Sequence, residues 1–387
     1  MKKPVILLVL GISVLGLGAC GSSGSGSGSG SSDTVRIGLE GPLSGDQKVT
    51  GEGMLNGARL AAKDLNAKGG IDGKQVEIVP IDDAADADTG VTAANAAVKD
   101  GLDGVIGPYN SGVGIKTLPI YEEAGLVPIR LTSDSDTNGM GFTLQPMDYQ
   151  IAPVETKAMT DWLKARKVAM LYDPTQNYTT STAEQVKKGL EAAGVKVTAY
   201  NEVQPGEKSY EADVKKALAT DPDVVFSVVY FPEGGLIAKA MHQINPQARC
   251  LADYASNDPG YVTTAGKAAA QACPTGGVPA PQDFKKGPAF TTRYQKEFGG
   301  APGTWSPYTY DSLNFLAEGV KQAGGFDSGP LKEKLSAVKD WQGVTGSVTI
   351  DPANGNRDPA TVTIDSVDSK GEFHVDEDWA KAVGAPY

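Results

Sequence analysis

An α/β fold with two doubly wound parallel-sheet lobes is what this sequence predicts, on three observations. Short β-rich runs alternate with amphipathic helical runs from Thr34 onward, the pattern of parallel strands covered on both faces. The alternation comes as two successive series, the second starting after Pro153. A length of 387 residues with 40% hydrophobic composition suffices for two cores of ordinary size.

In the first series, residues 35–39 read as a strand, followed by a Gly-rich loop and a helix whose Met54, Ala58, Ala61 and Leu65 fall at helical spacing. Gly69 and Gly70 end it. Residues 76–81, 89–100 and 104–107 then read as strand, helix and strand, and 115–124 and 127–131 supply the next helix and strand. The second series predicts a helix over 154–163 and a strand over 168–172. A helix through Val186 and Leu190 leads to a strand over 195–200, and another through Val214 and Leu218 leads to one over 224–230. A further helix over 236–244 and strand over 249–252 follow. Late helices over 288–298, 308–323 and 330–338 precede β-rich runs at 347–350 and 361–364.

The N-terminus carries its own signal. Lys2 and Lys3 precede a hydrophobic run over 5–17, too short for a transmembrane helix and suited to a secretory signal. The run closes with Leu17, Gly18, Ala19 and Cys20, an order that resembles a lipobox. The expectation is a signal peptide over 1–19, with Cys20 lipidated as the first mature residue. An ordinary signal cleaved near Ala19, leaving an unmodified thiol, is the plainer reading. Residues 20–33 hold that Cys and a nearly pure Gly/Ser tether, whose twelve small residues have an r.m.s. reach of roughly 20 Å.

Charge and composition exclude several classes. Thirty-five Lys and Arg against 47 Asp and Glu give a formal charge of −12, which opposes binding to nucleic-acid phosphates or anionic headgroups. Two His and three Cys leave few ways to build a transition-metal site, and no cofactor is expected. No Gly-x-Ser-x-Gly occurs, and the acidic run over 82–88 lacks the spacing and Gly of a calcium loop, so no enzyme is expected.

In doubly wound sheets, ligands lie beyond the carboxyl ends of the strands, which points to 109–112, 132–134, 174–178, 230–233 and 253–257, facing a cleft between lobes. The string over 66–73, Asn-Ala-Lys-Gly-Gly-Ile-Asp-Gly, followed by Asp82-Asp83 and Val105-Ile106-Gly107, closely resembles the Leu/Ile/Val-binding proteins of ABC transporters. The resemblance continues through 120–125, 225–233 and 305–313 and covers nearly all of 34–375. It implies a type I periplasmic-binding-protein fold with a hinge crossed three times. Lobe one would hold 34–148 plus 282–348, and lobe two 149–281 plus 349–387.

A free amino acid presents a carboxylate, an ammonium and a side chain. Ser111 follows a strand end and opens a helix, where its hydroxyl and the unpaired N–H groups of the first turn suit a carboxylate. The resemblance implies the same role, and capping of its own helix is the local alternative. Thr132, Ser133 and Asp134 form the segment that contacts ammonium and carboxylate in the family, but Asp134 stands where a hydroxyl is expected. An ionised Asp accepts hydrogen bonds and donates none, so either it meets the ammonium or Thr132 or Ser133 supplies the hydroxyl. As a third reading Asp134 is a solvated loop residue.

Tyr178 and Tyr230 match family tyrosines lining the cleft, and each offers an apolar face with one polar handle. Asp253 and Tyr254 straddle the position of a family acid that pairs with the ammonium; charge favours Asp253, whereas an ungapped alignment favours Tyr254. Trp305 falls near the aromatic residue beside the ligand side chain. The best-known members bridge positions that are Ala85 and Asn110 here, so that disulfide is absent. Cys250 and Cys273 flank one βαβ stretch, and export makes a disulfide between them the alternative to two buried thiols.

The resemblance implies an extracytoplasmic receptor, lipid-anchored to the cell membrane, that captures a branched-chain or related aliphatic amino acid and delivers it to a permease. Permease and ATPase would be separate chains, since no transmembrane span or Gly-x-x-x-x-Gly-Lys-Ser/Thr loop is present. Asn110, Asp134 and Trp305 also fit a receptor of the same fold for an amide, urea or other small solute. A sensor without transport is a further alternative.

Overall fold

The computed structural model describes residues 34–385; the expected signal peptide, Cys20 and the tether lie outside them. Two seven-stranded sheets carry the chain. Across the first, the order is Ile350–Asp351, Asn356–Arg357, Phe142–Thr143, Pro128–Arg130, Gly104–Ile106, Thr34–Gly41 and Gln75–Asp82. Across the second it is Phe373–Val375, Thr363–Val367, Thr275–Gly277, Arg249–Ala252, Val224–Val228, Lys167–Tyr172 and Lys196–Glu202. The strands pair in parallel except at Ile350–Asp351 with Asn356–Arg357 and along both sides of Thr363–Val367.

Each sheet buries both faces, as parallel βα units require. In the second, Ala169 and Leu171 pack into one apolar cluster, and Val168, Met170 and Tyr172 into another on the opposite face. That is the two-residue period of a strand read directly into two cores. In the first sheet Ile106 joins the large cluster built on Ile37, Leu39 and Met54, while its neighbour Val105 packs with Ala94 and Tyr121.

Each sheet also has a topological switch point. In the first it lies between Thr34–Gly41 and Gly104–Ile106, and in the second between Lys167–Tyr172 and Val224–Val228. The carboxyl ends at these two points lead to Tyr109–Ser111, and to Tyr178 and Tyr230.

The chain passes between the sheets three times: after Thr143, after Gly277 and after Arg357. The last passage corrects the sequence boundary at Val348, because both Ile350–Asp351 and Asn356–Arg357 belong to the first sheet. Buried polar bonds fix this. The Arg130 guanidinium donates to Asn356 Oδ1, and Arg357 donates to the carbonyls of Leu144 and Ser347. The run over 347–350 likewise splits, Ser347–Val348 pairing with Trp341–Gln342 in a separate two-stranded ribbon. The helix expected over 154–163 begins at Asp148 and ends in a π turn, Ala158–Trp162. Pro153 is tolerated inside it because the carbonyl it leaves unbonded belongs to Tyr149, which is 38% exposed.

The long helices Lys48–Ala67 and Ser306–Ala323 cover the first sheet and touch at Gly57. A Cβ there would stand 2.2 Å from Ser306 O and 2.3 Å from Thr309 Oγ1. Gly57→Ala should therefore force the pair apart and cost about 2–3 kcal/mol, read as a lowered midpoint in urea with an unchanged slope. An unchanged midpoint would contradict this close packing. Among the described residues no helix is long and apolar enough to cross a membrane.

Candidate functional site

A small cavity lies where the two switch points face each other. Tyr109, Ser111, Leu131, Ser133 and Gln145 line it from the first lobe, and Tyr178, Tyr230, Tyr254 and Ala255 from the second. Five of the residues singled out by sequence therefore meet on its wall: Ser111, Ser133, Tyr178, Tyr230 and Tyr254.

Ser111 is the first residue of the helix Ser111–Glu123, and no side chain caps that helix at Asn110. Its Oγ accepts the N–H groups of Ser133 (3.3 Å) and Asp134 (3.2 Å), which leaves its own proton to donate. A hydroxyl proton and a positive helix terminus thus share one end of the cavity. The reading of Ser111 as a cap for its own helix does not describe this geometry.

Two buried carboxyls lie behind the second-lobe wall, bonded to its residues Tyr178, Tyr254 and Ala255. Asp253 is fully buried and accepts the Tyr178 hydroxyl (3.1 Å) and the Ala255 N–H (2.9 Å). Behind it Glu155, also fully buried, accepts the Tyr254 N–H at 2.9 Å. Burial raises the pKa of both carboxyls, and each is held close enough to feel the other. Gly276 makes room for this, since a Cβ there would lie 2.2 Å from Glu155 Oε1. The Tyr109, Tyr178 and Tyr254 phenols are pushed up by burial, so their O–H protons stay in place.

The other expected residues sit around this wall. Asn110 is buried and donates to Gln47 Oε1 at 3.0 Å. Thr132 shares a hydrogen bond with Thr137 (2.8 Å) and accepts from Arg130. Trp305 backs the cavity, its ring 5.7 Å from Tyr109 and 5.2 Å from Tyr254 between centroids. Asp134 faces away. One oxygen caps the turn at Asp136 and the other accepts the Ser181 hydroxyl of the opposite lobe at 2.8 Å. Its carboxylate ties the lobes together rather than lining the cavity, which also differs from a solvated loop residue. Cys250 and Cys273 are joined by a disulfide, away from the cleft.

Sequence reading passed over Gln145 and Glu155. Gln145 follows a two-residue strand with no periodic signal, and Glu155 sits inside a helix whose start was misplaced. Both matter, because one holds a wall position and the other backs it. Asn110 Oδ1 and Gln145 Oε1 have no hydrogen-bond partner among the described residues, whereas Glu155, Tyr254 and Trp305 have Asp253, Ser133 and Tyr109 beside their polar ends. Such groups cost free energy unless something completes them.

A second bond, from Thr50 Oγ1 to Asp258 Oδ2 at 2.7 Å, closes the lobes beside the cavity. Because it exists only with the lobes together, Thr50→Val should weaken the affinity for any enclosed solute about fivefold by calorimetry. Full affinity would mean that this contact is equally strong with the lobes apart.

Comparison with known proteins agrees with this architecture. Residues 34–372 match the family model described as periplasmic binding protein. A Leu/Ile/Val-binding protein homolog of Brucella abortus is 30% identical over 326 residues, spanning 82% of this chain and 86% of that one. A leucine-binding protein of Thermotoga maritima superposes with a TM-score of 0.81 at 21% identity, covering 88% of this chain and 97% of the other. A branched-chain amino acid transporter substrate-binding protein of Streptococcus pneumoniae, solved with isoleucine, gives 0.79 at 23% identity over 89% and 99%.

Proposed function

From the premise that this chain belongs to the periplasmic binding protein family, we propose that it is the extracytoplasmic solute receptor of an ABC importer. It captures a branched-chain or related amino acid between its lobes and presents it to a permease. The observation that carries this is the free hydroxyl proton of Ser111 at a helix N-terminus on the cavity wall, with Asp253 held behind the opposing lobe's Tyr178. A zwitterion placed between them has its carboxylate at Ser111 and its ammonium toward Asp253, and the tyrosine faces enclose its carbon skeleton.

Closure provides the transport logic. The Thr50 and Ser181 bonds join the lobes around the solute, so a ligand that bridges both walls favours the closed form that a permease distinguishes from the open one. Anchoring through Cys20 and a Gly/Ser tether would hold the receptor near that permease. Asn110 and Gln145 favour one second reading, a receptor for a small amide, since each has an unpaired carbonyl oxygen able to accept an amide N–H. The test is import: loss of the gene should abolish uptake of labelled leucine or valine, and the Cys20→Ala form should restore it poorly. Undiminished uptake of every aliphatic amino acid would refute the transport role assigned to them.

A further inference from the structure

Among the described residues no charged side chain lines the cavity: its wall is four tyrosines, two serines, one glutamine and two aliphatic residues. An ammonium enclosed there meets neutral oxygens first, so the lone pairs still free on those oxygens decide which of them receives it.

Most of the wall oxygens already face a donor. Ser111 Oγ accepts the N–H groups of Ser133 and Asp134, and Ser133 Oγ accepts Gln145 Nε2 at 2.9 Å. Asn110, Thr182 and Trp305 place their polar hydrogens beside the phenols of Tyr230, Tyr178 and Tyr109. Gln145 is the exception. It is only 2% exposed, and its Oε1 has no partner among the described residues. Turning the amide over would not relieve this, because Nε2 donates to the Leu131 carbonyl as well as to Ser133, and an exchanged oxygen would face that carbonyl. A buried acceptor in this state costs free energy until a donor reaches it.

The ligand class identifies the donor. At neutral pH an aliphatic amino acid has an acceptor-only carboxylate, an apolar side chain and an ammonium, so the ammonium is the only part of it that can complete Gln145. The spacing agrees. The ammonium and carboxylate of an α-amino acid flank a single carbon, and Ser111 and Gln145 are both hydrogen-bonded to Ser133, one through its N–H and the other through its Oγ. We propose that Gln145 Oε1 is the first-lobe acceptor for the solute's ammonium and so makes the cavity demand an α-amino group. Asp253, bonded to the far side of the Tyr178 hydroxyl, then acts on that ammonium across the phenol. The inference rests on the reading of this cavity as an amino-acid site, and it names the residue that separates an amino acid from the same acid without its nitrogen.

Calorimetry at neutral pH on the full chain, unfolded and refolded to strip carried-over solute, would compare leucine with isocaproate and valine with isovalerate. Each pair shares its carboxylate and carbon skeleton and differs in the ammonium; the deaminated acids are measured by displacement of the amino acid. The parent should prefer the amino acid, and Gln145→Met, close in volume but without the carbonyl, should cut that preference about 10- to 100-fold. The amino acid loses its acceptor, and the deaminated acid no longer buries an incomplete one. Gln145→Glu, which puts a charged acceptor in the same place, should widen the preference, and it decides the matter by itself if the Met variant does not refold. A purely structural role, exerted through Leu131 and Ser133, would weaken both members of a pair alike. A preference unmoved in Gln145→Met, or unmoved or narrowed in Gln145→Glu, would therefore overturn the proposal and leave the amino-acid reading standing. Failure of the correctly refolded parent to bind leucine, valine or any other amino acid would overturn both.

Discussion

Replacing Ser111 with alanine is expected to weaken amino-acid binding about 10- to 100-fold, the loss of one hydrogen bond to a charged group. The effect has two sources. The hydroxyl proton is the donor that a carboxylate at this helix N-terminus would receive, and the Oγ organises the loop by accepting from Ser133 and Asp134. Alanine removes the donor and leaves two buried N–H groups without their acceptor. Circular dichroism and the urea midpoint should show a folded protein with a modest stability loss. Calorimetry should show the affinity loss in a protein that still closes. An unchanged affinity would move the carboxylate to another part of the cleft.

The second large effect concerns pH. Asp83 is fully buried, and burial together with the neighbouring Asp82 and Asp86 charges pushes its carboxyl from the usual 3.8 up to about 7. Glu40, Asp253 and Asp365 are raised for the same first reason, Asp365 also to about 7. The folded protein therefore holds protons that the unfolded chain has lost. Asp83 and Asp365 each contribute stability that is fully present below about pH 4 and is lost as pH rises through about 7, Asp253 loses its share as pH rises through about 6, and Glu40 acts in the same direction. For Asp83 alone a shift of that size corresponds to something on the order of 4 kcal/mol. The exposed Asp86 and the half-buried Asp223 and Asp368 are shifted downward instead, so their stabilisation disappears only below about pH 4, outside this window.

Urea unfolding should thus give a higher midpoint at pH 5 than at pH 8. Asp83→Asn should match the parent below about pH 4 and exceed it by a margin that grows from pH 5 to pH 8, because an amide still accepts the Ala85 N–H (2.8 Å) without having to ionise. A parent whose midpoint is flat or rises over this interval would contradict the assignment.

Much of this architecture was legible because parallel strands buried on both faces leave strong marks. The run at 168–172 is continuously apolar, that at 224–228 is broken only by Ser227, and Met54, Ala58 and Ala61 repeat at helical spacing. Short strands left no such mark. Phe142–Thr143, Thr275–Gly277 and Phe373–Val375 owe their extended form to neighbours in the sheet, and the small helices Pro259–Ala265 and Lys267–Ala272 are too brief for periodicity to register.

The candidate site divides along the same line. Ser111, Tyr178 and Tyr230 follow strand ends and were found by that rule, whereas Gln145 and Glu155 reach the cleft through tertiary placement alone. Asp134 shows the limit of reading by position. Its place in the loop was foreseen, but only the structure reveals Ser181 opposite it and so its use between lobes. The lobe boundary failed for a similar reason. Arg130 and Arg357 hold residues 350–357 to the first sheet through bonds over long sequence separations, which no local pattern announces.

The most direct test of the central claim is calorimetric titration of the refolded, solute-free protein with leucine, isoleucine, valine, alanine and phenylalanine, beside urea and small amides. The account predicts stoichiometric binding of an aliphatic amino acid, weakened in both Ser111→Ala and Asp253→Ala. Silence toward all amino acids, with tight binding of an amide or another uncharged solute, would contradict it.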